Sequence, residues 1–220
     1  MNCFTHALPY LDDPPLIVGC CLPDWLGAVD RKCRLREKAA RGFAADPDPM
    51  LSAVARGVIQ HHQDDRWFHQ TPTFAELNLS FSVEIREVLG GERGFRASFL
   101  GHIIIELLLD AFLAEQFPGR LEFYYTQVAR VCPQALQERV NRFATRPTHK
   151  LVYYISKFLE IRFLFDYLND SGLVFRLNNV LSRVKLPSLD DKILDWVPSA
   201  RNRVYQRASD LLCDYPVKFD

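Results

Sequence analysis

Two sets of metal-capable side chains recur at four-residue intervals in this chain: His61, Asp65 and His69, then His102, Glu106 and Asp110. On an α-helix a four-residue step turns about 400°, so successive rungs land within roughly 40° of each other and line one face. Mixed imidazole nitrogens and carboxylate oxygens suit one or two hard-to-borderline divalent cations. The chemistry such a site offers is metal-assisted hydrolysis, in which the cation polarises a phosphoryl or carbonyl oxygen and activates water.

The second set lies in Ser98–Leu113, where His102, Glu106 and Asp110 are nearly the only polar groups. A helix apolar on all sides is normally buried. An uncompensated buried carboxylate costs several kcal/mol, so a compensating cation is expected. Buried arginines paired with the carboxylates are the alternative. The first set, in Val54–His69, has competitors: His62 and Asp64 sit about 100° around the helix from His61 and Asp65. Three rungs align on the His61 face, whereas the His62 face continues to Arg66. His61, Asp65 and His69 are therefore the expected ligands. His62 is a candidate proton donor or substrate contact, and Asp64 could orient a ligating imidazole through its other ring nitrogen.

Upstream, His6 and Asp24 each interrupt an apolar stretch. Taken singly, Asp24 after Pro23 reads as a helix cap. Taken with the two ladders, it reads as a ligand or general base, and His6 as a residue that completes the metal shell or protonates a leaving oxygen.

The opening Met1-Asn-Cys-Phe-Thr-His6 resembles the start of the acyl-carrier-protein phosphodiesterases, Met-Asn-Phe-Leu-Ala-His. Gly19-Cys-Cys-Leu-Pro-Asp24 is similar to that family's Gly-Asn-Leu-Leu-Ala-Asp, and Gly57-Val-Ile-Gln-His61 with Asp65 to its Gly-Ile-x-x-His-Arg-x-Ile-Asp. Glu106-Leu-Leu-Leu-Asp110-Ala-Phe-Leu is similar to its Asp-x-x-x-Asp-His-Phe-Leu, and a weaker similarity runs from Arg162 to Arg183. The resemblance implies an HD-like helical metallophosphohydrolase. Such enzymes use a divalent metal such as manganese to cleave phosphopantetheine from acyl carrier protein. It carries roles onto His6, Asp24, His61, Asp65 and Asp110. This chain departs from the pattern at His69 (an acid in the family), Glu106 (an aspartate), Ala111 (a histidine) and His102, which is extra. More imidazole favours manganese, zinc or iron over magnesium. A Gly-x-x-x-Pro-Asp element and a Gly-His-x-x-x-Glu element also resemble zinc-dependent phospholipase C, likewise a phosphodiester hydrolase.

The 220 residues are 48% hydrophobic, enough for a substantial core. Net charge is zero, so no global field recruits nucleic acid or an anionic membrane. The longest apolar run, Ile103–Leu113, contains Glu106 and Asp110, which argues against membrane insertion. No charged leader precedes an apolar core near the N-terminus, so the cytoplasm is expected. The cysteines lack zinc or redox spacing and are expected to be buried free thiols.

Periodicity and proline punctuation predict helices throughout, with no strand and no repeat. They fall at about 28–44 (basic), 54–69 behind a cap at Asp46–Pro49, 73–89, 96–116, 120–130, 133–144, 148–169 and 171–184, and Pro198 opens a last one at 199–214. Gly90, Gly91 and Gly94 read as a turn before the second ladder. The expected fold is a single compact all-α, HD-like bundle over 1–220. Residues 1–118 carry the metal-site helices, and 119–220 supply packing and one wall of a substrate pocket. In that second half, Arg162 or Arg176 is expected to reach a buried carboxylate or a substrate phosphate. The basic run Arg31–Lys38, with Arg34 and Arg36, could dock an acidic partner such as acyl carrier protein.

Two other classes compete. A di-iron redox bundle uses Glu-x-x-His at i, i+3, whereas every spacing here is i+4. A non-catalytic helical scaffold holding a structural metal would have a coordinatively closed site.

Overall fold

The computed structural model describes residues 1–91 and 96–216, and among them every regular element is helical. The chain is all-α. Gly94 lies outside the described residues. In chain order the helices are α1 (Cys3–Ala7), α2 (Pro14–Val29), α3 (Glu37–Arg41), α4 (Pro49–Phe68), α5 (Pro72–Val88) and α6 (Arg96–Gln116). Then follow α7 (Arg120–Ala129), α8 (Pro133–Val140), α9 (Leu151–Ile161), α10 (Asp170–Arg183), α11 (Ile193–Gln206) and α12 (Ala208–Leu211).

These helices cluster into two compact units, each drawn from two separated stretches. The first comprises Met1–Arg66 and Phe117–Arg162, the second Trp67–Gln116 and Phe163–Asp220. The core of the first is built on Phe4, Ile17, Leu22, Trp25, Leu51, Val54, Tyr124 and Phe158. In the second, α6 packs on α5, α11 and the 3-10 turn Phe163–Leu168, burying Phe81, Ile85, Leu100, Ile104 and Leu108. By length and composition α6 could cross a membrane, but 61% of its most apolar window is buried within the fold.

Helix starts are set by side-chain caps and prolines. Asp13 accepts from the Leu16 amide at 3.2 Å ahead of Pro14 in α2. Asp48 accepts from the Met50 and Leu51 amides at 3.0 and 3.2 Å, and Pro49 occupies the first helical position of α4. Thr71 does the same for α5 through the Phe74 amide, with Pro72 following. The helix bearing the first ladder thus begins where the sequence provides a cap.

Four expected helices are shorter or differently placed; one of them, expected over 133–144, ends at Val140. Residues 30–36 are not helical. Asp30 is tied by Arg146 at 2.7 Å and by Thr148 at 3.0 Å, and the main chain at Arg34 pairs in both directions with Thr145. Cys33 and Leu35 are buried while Arg34 and Arg36 are exposed, an alternation that belongs to extended chain. Only Glu37–Arg41 of the expected basic helix forms. The stretch 148–169 breaks at Arg162, whose backbone is left-handed with φ 52°. Pro198 lies inside α11, which starts at Ile193; the first turn closes with i→i−3 bonds from Ile193, Leu194 and Asp195. Asp24, expected as a cap, lies inside α2, whose start is capped by Asp13.

The approach of α2 to α4 depends on two glycines. A Cβ at Gly57 would lie 2.2 Å from the Leu16 carbonyl oxygen, and one at Gly19 would lie 2.4 Å from that of Val54. These obstacles are main chain, so the helices must separate to admit a methyl group. Gly57→Ala is expected to cost about 1–3 kcal/mol or more in chemical denaturation. Gly27→Ala, on the same α2 with open space around it, should be neutral or stabilise by up to about 1 kcal/mol. Equal midpoints for the two variants would contradict this packing.

Candidate metal centre

Within each unit a cluster of histidine and carboxylate groups could hold a metal ion, its ligand atoms lying within 4.8 Å of one another. His6, His61 and Asp65 form the first, and His69, His102 and Glu106 the second.

The first cluster is assembled by α1, α2 and α4. The close approach at Gly19 and Gly57 sets the Cys20 carbonyl oxygen 2.8 Å from His61 Nδ1. A carbonyl oxygen only accepts, so Nδ1 carries the proton and Nε2 presents a lone pair. That lone pair faces Asp65 Oδ2 at 3.4 Å and Asp24 Oδ1 at 4.0 Å. Double protonation is opposed. Burial of the ring, followed by the positive charge of His6, holds His61 well below the usual histidine range. The other neutral tautomer would only move the conflict to the shorter contact with Cys20.

His6 is fully buried and held at both ring nitrogens. Nδ1 meets Asp64 Oδ2 at 3.1 Å; Nε2 meets Asp65 Oδ1 at 3.2 Å and the Met1 carbonyl at 3.1 Å. Burial disfavours the charged ring, but hydrogen bonds to Asp64 and Asp65 outweigh it and raise His6 to about 9. Gln60 donates to the other oxygen of Asp64 at 2.6 Å, so the carboxylate that orients His6 is itself held. Burial alone would raise Asp65; the His6 hydrogen bond and neighbouring positive charge, including the Met1 main-chain nitrogen at 2.7 Å, keep it well below the usual carboxylate range. The two imidazole rings lie 4.3 Å apart. Asp24, with 37% of its side chain exposed, accepts weakly from the Cys3 thiol at 3.7 Å.

In the second cluster, His69 Nε2 and His102 Nε2 lie 2.9 and 3.1 Å from the same oxygen, Glu106 Oε1. Burial would raise Glu106, yet it is held well below the usual range, with hydrogen bonds from His102 and His69 contributing. Phe74 packs on both rings, at 4.9 Å from His69 and 5.0 Å from His102.

The ladders are therefore divided differently from their spacing. His61 and Asp65 belong to the first cluster, while His69, just past the end of α4, belongs to the second. Asp110 is buried one turn beyond Glu106 and is in neither cluster. His62 is directed elsewhere, its Nε2 2.8 Å from the Leu35 carbonyl. It anchors the extended 30–36 segment. Arg162 pairs with Glu122 and lies over the Tyr125 ring at 4.8 Å, while Arg176 pairs with Asp166 at 2.5 Å. All six cysteines are free; Cys3, Cys20, Cys21 and Cys33 are buried, whereas Cys132 and Cys213 are exposed. The Cys20 carbonyl gave no sequence signal because main-chain acceptors are the same at every residue. Gln60 did have one, its i, i+4 relation to Asp64 on α4.

Comparison with protein families, curated proteins and solved structures gives no match.

The two faces of α4 separate in a direct test. His61→Ala is expected to abolish metal binding at the first cluster. His62→Ala should leave metal content intact and lower stability by about 1 kcal/mol through the lost bond to Leu35. Elemental analysis with thermal melting distinguishes them; loss of metal in His62→Ala with retention in His61→Ala would overturn the assignment.

Proposed function

We propose that this chain is a divalent-metal-dependent phosphodiester hydrolase whose ion is held by His61, Asp65 and Asp24, and by His6 once the ion displaces the proton on its Nε2. The observation that carries the metal is the His61 Nε2 lone pair facing the carboxylates of Asp65 and Asp24. Like-signed lone pairs at that separation in a buried site are repulsive, and a cation between them turns the same geometry into coordination. Two nitrogen and two oxygen donors favour manganese, zinc or iron over magnesium.

The phosphodiester class is supported by the resemblance of the His6, Asp24 and His61–Asp65 motifs to the acyl-carrier-protein phosphodiesterases, and with it an HD-like arrangement of helices. When bound, the ion supplies Lewis acidity toward phosphoryl oxygens and toward water. Asp24 is the most exposed of the four groups and is suited to receive the proton of an attacking water. Asp64, held by Gln60, keeps His6 oriented. The substrate is a small phosphodiester or the phosphopantetheine arm of an acidic carrier protein. For the latter, exposed Arg31, Lys32, Arg34, Arg36 and Lys38 in the same unit offer steering. Six free cysteines accord with a reducing, cytoplasmic setting.

Protein loaded with manganese or zinc is expected to hydrolyse bis-(p-nitrophenyl) phosphate. Asp24→Asn, isosteric and uncharged, should lose about 10²-fold or more of that rate while keeping its fold. Holo carrier protein should lose its arm, more slowly after charge reversal at Arg34 and Arg36. Turnover of a phospholipid instead would point to phospholipase C-like chemistry. A metal-loaded protein inert toward every diester would make the site structural, a reading that the near-complete burial of His6 and His61 also fits.

A further inference from the structure

We propose that the second unit carries a separate, exchangeable binding site for a divalent cation at His69, His102 and Glu106, weaker than the site at His61 and open on one side. The inference goes beyond the hydrolase reading and does not require it.

The three groups are positioned by rigid elements. His102 and Glu106 stand one turn apart on α6. His69 is fixed by the tight passage from α4 to α5, where the Thr71 hydroxyl donates to the Phe68 carbonyl at 2.8 Å. The buried Phe74 ring wedges against both imidazoles and sets their centroids 4.4 Å apart. Two imidazoles and one carboxylate from such supports form a three-ligand set that leaves coordination positions open. The open side is real space: a cavity of about 370 Å³, lined by Ser98, Phe99, His102, Ile103 and Glu106, adjoins the cluster.

This cluster differs from the first in how it is satisfied without an ion. An ionised carboxylate only accepts, so both Nε2 atoms donate protons to Glu106 Oε1. No lone pair faces an oxygen, and nothing demands a cation. For an ion to enter, each ring must carry its proton on Nδ1 instead, exchanged through solvent, with no net change in proton number. Neither Nδ1 has a hydrogen-bond partner among the described residues, and 31% of His69 and 35% of His102 are exposed, so that exchange is unhindered. In the first cluster Nδ1 of His61 and of His6 is already held, by Cys20 and Asp64. Partners of this kind are worth about 10–100-fold in metal affinity. The second site is therefore expected to bind about 10–100-fold more weakly than the first and to exchange faster.

Zinc titrated calorimetrically into the chelated full-length protein is the test. Two binding events separated by about 10–100-fold are expected. His102→Ala should remove the weaker event and leave the tighter one, His61→Ala should do the reverse, and His69→Ala should reproduce His102→Ala. Circular dichroism confirms that each variant is folded. A single event lost only in His61→Ala would overturn this site while leaving the first standing. Two events that both survive His102→Ala and His69→Ala would overturn it as well. Loss of the weaker event alone in both second-unit variants, with His61→Ala binding nothing at the tighter site, supports both.

Discussion

The geometry of the first unit turns on one hydrogen bond, from His61 Nδ1 to the Cys20 carbonyl. It exists because α2 and α4 approach at Gly19 and Gly57 more closely than any Cβ would permit. Once the ring is fixed that way, its other nitrogen presents a lone pair toward the carboxylates of Asp65 and Asp24. His6 joins from α1 at the other oxygen of Asp65, held in turn by Asp64 and Gln60. The site is the consequence of helix packing with main-chain precision. His6, Asp24, His61 and Asp65 all stand on helices, α1, α2 and α4.

The two clusters resolve similar residue types into opposite electrostatic states. In the first, burial and the neighbouring charge of His6 suppress protonation of His61, so the arrangement is incomplete with protons alone. In the second, one carboxylate oxygen accepts from two half-exposed imidazoles and the arrangement is complete. Composition alone does not separate these cases. The partner of the second ring nitrogen does, a carbonyl or carboxylate in one unit and solvent in the other.

Much of this was legible in the sequence. The i, i+4 spacing placed His61 with Asp65 and His102 with Glu106 on common helix faces, and the capping signal ahead of Pro49 located the helix that carries the first pair. The orienting role of Asp64 was also readable, although its target, His6, lies 58 residues away. The grouping of His69 was not readable. Spacing continues through a helix end, but α4 stops at Phe68, and the next residues turn into α5. The helix expected over 28–44 failed for a related reason. Arg31 to Lys38 suit a solvated helix by composition, yet Thr145, Arg146 and Thr148 bind the Asp30–Arg34 main chain and side chains from more than 100 residues away. Pro198 misled because a proline early in a helix resembles one at its start. Two units woven from alternating stretches of chain leave no mark in local composition.

The central claim is that His61 is a neutral imidazole with its proton on Nδ1 and its Nε2 engaged by a cation. Long-range proton–nitrogen NMR of the zinc-loaded, histidine-labelled protein reads this directly. The account predicts an Nδ1–H tautomer for His61 that does not titrate through neutral pH, with an Nε2 shift characteristic of coordination that is lost on chelation. An Nε2–H tautomer, or a ring that titrates near its ordinary value and ignores chelation, would contradict it.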